Sequence, residues 1–273
     1  MFYSAALMAA PDTTRPALSD ADLDELLALV KGADTVELKL TVPQSDLYAT
    51  RDALALDPID AQIRQVFFFD TPDLDLYEAG LVVRARRVQG KGDDSVVKLR
   101  PVVPDQLPKS LRKARGFGVE VDAMPGGYVC SASMKGTPDA DVRKTVGGEG
   151  RLAKLFSKEQ RALFSEHAPG GIELDDLSVL GPIFVLKLKF SPDELDRRVV
   201  AELWLYPDNS RILELSTKCA PTDAFLVATE MRVHLTKRGV DMSGEQEPKT
   251  RKALEFFSAK LRAESGGGHP HAG

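Results

Sequence analysis

The sequence predicts an α+β fold in which a sheet closes into a barrel, with charged groups on its inside and helices packed on its outside. Three observations carry that prediction. Short segments with a two-residue period recur along the chain. Their two faces differ in the same way each time, one apolar and the other charged with both signs. At least three helical segments also present apolar faces that need a surface to cover.

The charged face reads Glu37 and Lys39; Arg84 and Arg86; Lys98 and Arg100; Glu120 and Asp122; Lys187 and Lys189; Glu202; then Glu214, Ser216 and Lys218. Opposite stand Leu38, Val83, Leu99, Val121, Leu186, Leu188, Leu203 and Leu215. An open antiparallel sheet with one wet face also accommodates this parity and is the commoner arrangement. Closure is favoured because the charged faces carry nearly unbroken Arg, Lys and Glu. Helices can then cover the apolar outer face.

In chain order, residues 1–33 read as a leader and a short helix. Ser19 stands at the N-cap with Asp22 three residues on, Leu23, Leu26, Leu27 and Val30 follow at helical spacing, and Gly32 ends the helix. Residues 36–42 alternate as a strand closed by Pro43, and 46–56 read as a helix. Phe67–Arg87 holds a strand, a turn shaped by Asp70 and Thr71 before Pro72, and a second strand bearing Arg84 and Arg86. A strand at 96–100 follows a Gly/Asp turn. Residues 101–118 read as a loop, in which Lys109, Arg112, Lys113 and Arg115 form a solvated charge run or a lid. Another strand spans 119–123, and residues 125–150, rich in Gly, Ser and Pro, read as irregular. A helix at 151–167, strands at 183–190, 199–206 and 211–218, and helices at 222–238 and 249–264 complete a single domain over 34–264. Residues 265–273 read as a disordered tail.

The chain has 273 residues and a net charge of −5, which argues against general binding to nucleic acid or acidic membranes. No run of 18 apolar residues exists, and no positive charge precedes Arg15, so neither a membrane span nor a secretory signal is expected. Cys130 and Cys219 lack metal or redox spacing and fit a reduced, cytoplasmic setting. The sequence contains neither a Gly-x-x-x-x-Gly-Lys-Ser/Thr loop nor a Gly-x-Ser-x-Gly elbow. His167, His234, His269 and His271 form no metal-spaced pair within a predicted element.

A lumen of mixed charge suits a metal–polyphosphate ligand. Guanidinium and ammonium groups pair with phosphate oxygens, and spaced carboxylates are hard ligands for Mg²⁺ or Mn²⁺.

At this level the chain resembles the CYTH superfamily, the triphosphate tunnel metalloenzymes, over about residues 34–257. Phe67–Arg87 is similar to the family's aromatic-Asp-Thr-Pro strand and its Gly-Leu strand ending in Arg-x-Arg. Lys98-x-Arg100, Glu120-x-Asp122 and the Lys-Thr-x-x-Ala-Leu stretch at Lys249–Leu254 follow in the same order. The family's first-strand Glu-x-Glu-x-Lys is matched by Thr35-Val36-Glu37-Leu38-Lys39, and its late Glu-x-Glu by Glu214-Leu215-Ser216. One acid is missing from each.

The resemblance implies an eight-stranded antiparallel tunnel with a triphosphate along its floor. It implies phosphate binding by Lys39, Arg84, Arg86, Lys98, Arg100, Lys187 and Lys189, and metal binding by Glu37, Glu120, Asp122, Glu202 and Glu214, with Glu37 and Lys39 acting in catalysis. Glu202 and Glu214 equally suit ion pairs with lysines inside the barrel. The expected activity is Mg²⁺- or Mn²⁺-dependent hydrolysis of a small-molecule triphosphate or inorganic polyphosphate. Thr35 and Ser216 point to the rival reading, a non-catalytic module that binds polyphosphate or nucleotide. Adenylyl cyclase is a third.

Overall fold

The structure, a computed structural model, describes residues 20–244, 246 and 249–266. Nine strands close into one barrel: β1 (Thr35–Val42), β2 (Gln62–Asp70), β3 (Leu81–Val88), β4 (Asp94–Leu99), β5 (Phe117–Met124), β6 (Gly127–Gly136), β7 (Ser178–Phe190), β8 (Val199–Leu205) and β9 (Arg211–Cys219). Their order around the barrel is β1-β5-β6-β4-β3-β2-β7-β8-β9. All neighbours run antiparallel except β1 and β5, which pair in parallel with Glu37 beside Asp122.

Closure is as expected, but the count of eight and the purely antiparallel pairing are corrected. The extra strand is β6, in the segment read as irregular. Its outward side chains Cys130, Ala132 and Met134 are buried, while Ser131, Ser133 and Lys135 alternate with them. Small residues on both faces leave too little contrast for a period-two signal. β7 starts earlier than expected because Gly181 and Pro182 break its pattern. There the chain passes so close to β2 that a Cβ on Gly181 would lie 2.9 Å from the Val66 carbonyl oxygen.

The helices are α1 (Asp20–Gly32), α2 (Leu47–Ala53), α3 (Asp75–Glu78), α4 (Lys109–Arg112), α5 (Val142–Val146), α6 (Lys158–His167), α7 (Ala224–Lys237) and α8 (Lys249–Gly266). The expected cap at Ser19 and most of the leader lie outside the described residues, as do residues 267–273. α8 runs two residues past the expected end of the domain.

Most of the core lies outside the barrel wall. Val36, Phe69, Val83, Val97 and Val121 pack with Leu29 and Val30 of α1 and with Leu163 and Phe164 of α6. Leu40, Val42, Leu213 and Leu215 pack with Val227, Met231 and Leu235 of α7. Burying each such side chain contributes about 1.5–3 kcal/mol. A capping box between Ser157 and Gln160 starts α6, and the Gln160 side chain also bonds the Ser95 hydroxyl and the Met134 carbonyl. One residue thereby fixes the helix to β4 and β6.

A third cluster is different. Val66, Phe68, Val185, Trp204 and Ile212 share the inward parity of Arg64, Lys187, Glu202 and Glu214, yet they are apolar. Ala253, Leu254 and Phe257 of α8 pack on them, so α8 covers part of the inner wall. The Ser258 hydroxyl donates to the Pro72 carbonyl and ties α8 to the β2–β3 connection.

Candidate functional site in the barrel lumen

Register explains why the charges converge. Glu37 neighbours both Asp122 and Lys218, Lys39 faces Ser216, and Lys187, Glu202 and Glu214 lie side by side across three strands. Every site residue expected from the sequence lines one cavity of about 1380 Å³: Glu37, Lys39, Arg84, Arg86, Lys98, Arg100, Glu120, Asp122, Lys187, Lys189, Glu202 and Glu214. Three groups of contacts divide this surface.

The first is acidic at its centre. Carboxylate oxygens of Glu37, Glu120 and Asp122 lie within 4.8 Å of one another. Lys39 reaches Asp122 at 2.9 Å and Glu37 at 3.2 Å, Lys98 lies 3.5 Å from Asp122, and Lys218 contacts both Glu37 and Glu120. Burial alone would raise the Asp122 carboxyl, but Lys39 and Lys98 outweigh it and hold the group well below the usual carboxylate range. Burial likewise opposes the Lys39 charge, and Asp122 and Glu37 more than restore it. Lys98 is different: burial dominates and pushes it down to about 8. The two missing acids have a direct structural counterpart. The Thr35 hydroxyl donates to Glu120 and the Ser216 hydroxyl to Glu37, each at 3.3 Å.

The second group is a set of lysine–glutamate pairs. Lys187 bonds Glu202 at 2.7 Å, and Lys249, from the first turn of α8, bonds Glu202 at 2.8 Å and Glu214 at 2.6 Å. Glu202 and Glu214 are thus engaged by lysines and stand outside the acidic trio.

The third group is basic. Arg86 makes two 2.8 Å bonds to Asp94, and Arg64 bonds the Gln62 side chain. Arg84 has no such partner. Among the described residues, its buried Nε donates to nothing and no carboxylate comes within ion-pair distance. Burial and the neighbouring Arg86 push it down to about 9, so it remains charged at neutral pH. A half-buried guanidinium whose buried Nε donates to nothing is costly in a protein that binds nothing there, and its natural complement is an anion.

Solved structures share this architecture. A Bacillus halodurans protein described as a "putative adenylate cyclase" superposes with a TM-score of 0.54 at 12% identity, over 80% of this chain and 98% of that one. The "putative adenylyl cyclase HpAC1" of Hippeastrum, described as having a dominant triphosphatase activity, gives 0.54 at 17% identity, over 82% and 95%. This is the CYTH tunnel fold. No protein-family model and no curated protein matches the chain, so the likeness rests on the fold.

Within the CYTH tunnel, five lining cations escaped the sequence-derived site, one of them Arg251 of α8. Lys249 belongs to the Lys-Thr-x-x-Ala-Leu stretch, but only the packing of α8 shows that it enters the lumen. Lys218 follows the β9 parity. Arg64 precedes the point where the β2 pattern becomes visible, and Lys135 sits on the unrecognised β6. Arg112 of the basic loop bonds the Gly32 carbonyl at 2.8 Å and pairs with Asp34, tying α4 to the end of α1. Asp70 accepts from the backbone N–H groups of Thr71, Leu76 and Tyr77, which is the turn-shaping role expected of it. His167 lines the cavity and bonds the Leu163 carbonyl, whereas His234 lies on α7. Among the described residues, no helix is long and apolar enough to cross a membrane.

The acidic trio fits a divalent cation. Three carboxylates are hard oxygen donors at compatible spacing, and in the free protein the ammonium groups of Lys39, Lys98 and Lys218 lie against them.

Proposed function

We propose that this chain is a divalent-metal-dependent phosphohydrolase that acts on a small-molecule triphosphate or on inorganic tri- or polyphosphate. The observation that carries the reading is Arg84, whose buried Nε has no partner among the described residues, set in a lumen where basic side chains outnumber acidic ones. Arg84, Lys98, Arg100, Lys187, Lys189 and the free edge of Arg86 hold phosphate oxygens. Glu37, Glu120 and Asp122 hold Mg²⁺ or Mn²⁺, which when bound neutralises phosphate charge and lowers the pKa of a coordinated water. Lys39 keeps Glu37 and Asp122 ionised and oriented. The triphosphatase activity stated for the Hippeastrum protein agrees with this reaction class.

The test is phosphate release from tripolyphosphate, thiamine triphosphate and ATP, each with Mg²⁺ or Mn²⁺. Metal-dependent release that is lost in Glu37→Gln supports the proposal. Cyclic AMP formed from ATP would instead identify a cyclase. One observation favours a second reading, non-catalytic binding of polyphosphate or nucleotide: hydroxyls of Thr35 and Ser216 stand where the family pattern has acids. Binding without release of phosphate from any of the three compounds supports that reading.

A further inference from the structure

Each carboxylate of the acidic trio is engaged by an ammonium in the free protein. Lys39 lies 2.9 Å from one Asp122 oxygen and 3.2 Å from Glu37, and Lys98 lies 3.5 Å from the other Asp122 oxygen. Arg100 stands 3.9 Å from that second oxygen, and Lys218 contacts both Glu37 and Glu120. Lys187 and Lys249 hold Glu202 and Glu214 in the same manner. A divalent ion binds carboxylate oxygens at about 2.0–2.6 Å, so an ion seated in the trio would meet these cations at a distance where like charges repel strongly. The lysines have to move before an ion enters.

The rest of the lumen opposes that move. Among the described residues, twelve basic and six acidic side chains line the cavity, so both a displaced lysine and an incoming ion face an excess of positive charge. Lys218, 48% exposed, can turn to solvent, whereas the Lys39 side chain is only 14% exposed. A buried ammonium stripped of its carboxylates is costly. A polyphosphate removes that cost, because its oxygens take the place of the carboxylates around the lysine.

We infer that the trio is a locked site, which accepts a divalent ion only together with a polyphosphate. Phosphate oxygens draw off Lys39 and Lys98, and the carboxylates released from them receive the ion. By linkage, the ion and the polyphosphate each raise the affinity of the other by the same factor. The inference rests on the metal assignment made above. It adds the residue that keeps the site closed, Lys39, and the class of ligand that opens it.

The experiment is equilibrium dialysis of the full chain against Mn²⁺, with and without imidotriphosphate, a triphosphate analogue whose P–N–P bridges resist hydrolysis. Free wild type should bind Mn²⁺ about tenfold or more weakly than the loaded protein. Lys39→Met, its fold confirmed by circular dichroism, should bind Mn²⁺ without the analogue about tenfold or more tightly than wild type does. Adding Glu37→Gln to that variant should abolish the gain; a gain that persists places the ion elsewhere and overturns the inference. Should Lys39→Met not fold, Lys218→Met, altered at an exposed lysine, should still gain Mn²⁺ affinity, and no gain would overturn the inference. Equal binding by free and loaded wild type, or no gain in folded Lys39→Met, would overturn the lock and leave the metal assignment standing. No Mn²⁺ retained by any of these proteins, free or loaded, would defeat the metal assignment and the lock with it.

Discussion

Arg84 and Lys98 are two cations whose surroundings in the free protein oppose their charge, and both are lowered chiefly by burial. Such groups are destabilising until an anion arrives. Arg84→Met should therefore raise the melting temperature of the free protein while weakening tripolyphosphate binding about tenfold or more, the scale of a lost charge-assisted hydrogen bond. Differential scanning fluorimetry and calorimetry on the same samples check both halves. Lys98 gives a pH prediction. Its folded pKa of about 8 lies below its unfolded value, so the folded state sheds its proton first and stability rises with pH above about 8. Tripolyphosphate affinity falls over the same range, because the cation that grips it is lost. Lys98→Met should flatten both trends between pH 7 and 9. At this scale the sequence was most informative: a charged residue on every second position of a strand is visible without coordinates. Lys249 was not, because its role depends on where a distant helix packs.

Single elements depend on local chemistry of a different kind. The connection from β2 to β3 is organised by Asp70, a buried carboxylate that accepts from three backbone N–H groups around α3. Asp70→Ala leaves those donors unsatisfied and should cost about 2–3 kcal/mol in urea denaturation. Asp70→Asn, which keeps an acceptor, should cost less. Gln160 holds α6 to β4 and β6 in the same way, and Gln160→Ala should lower the melting temperature without changing ligand affinity, since it faces away from the lumen. Strands with a strong contrast between faces, such as β1 and β3, were legible in the sequence. β6 was not, because serine and alanine differ too little in polarity to mark opposite sides.

For the whole molecule the arrangement is inverted relative to most small barrels. The hydrophobic core lies between the wall and the surrounding helices, and the interior is a charged cavity. Helix faces and strand parity announced that inversion. The parallel pairing of β1 with β5 depends on contacts some eighty residues apart and left no local trace. The lumen carries more positive than negative groups in a protein whose overall charge is −5. A compact polyanion should therefore stabilise the fold by mass action, with the effect weakening as salt rises. The most direct measurement is a calorimetric titration of the full chain with tripolyphosphate in Mg²⁺, paired with Arg84→Met. The account predicts saturable binding at one site, reduced about tenfold or more in the variant. No binding by wild type, or equal binding by both proteins, would contradict it.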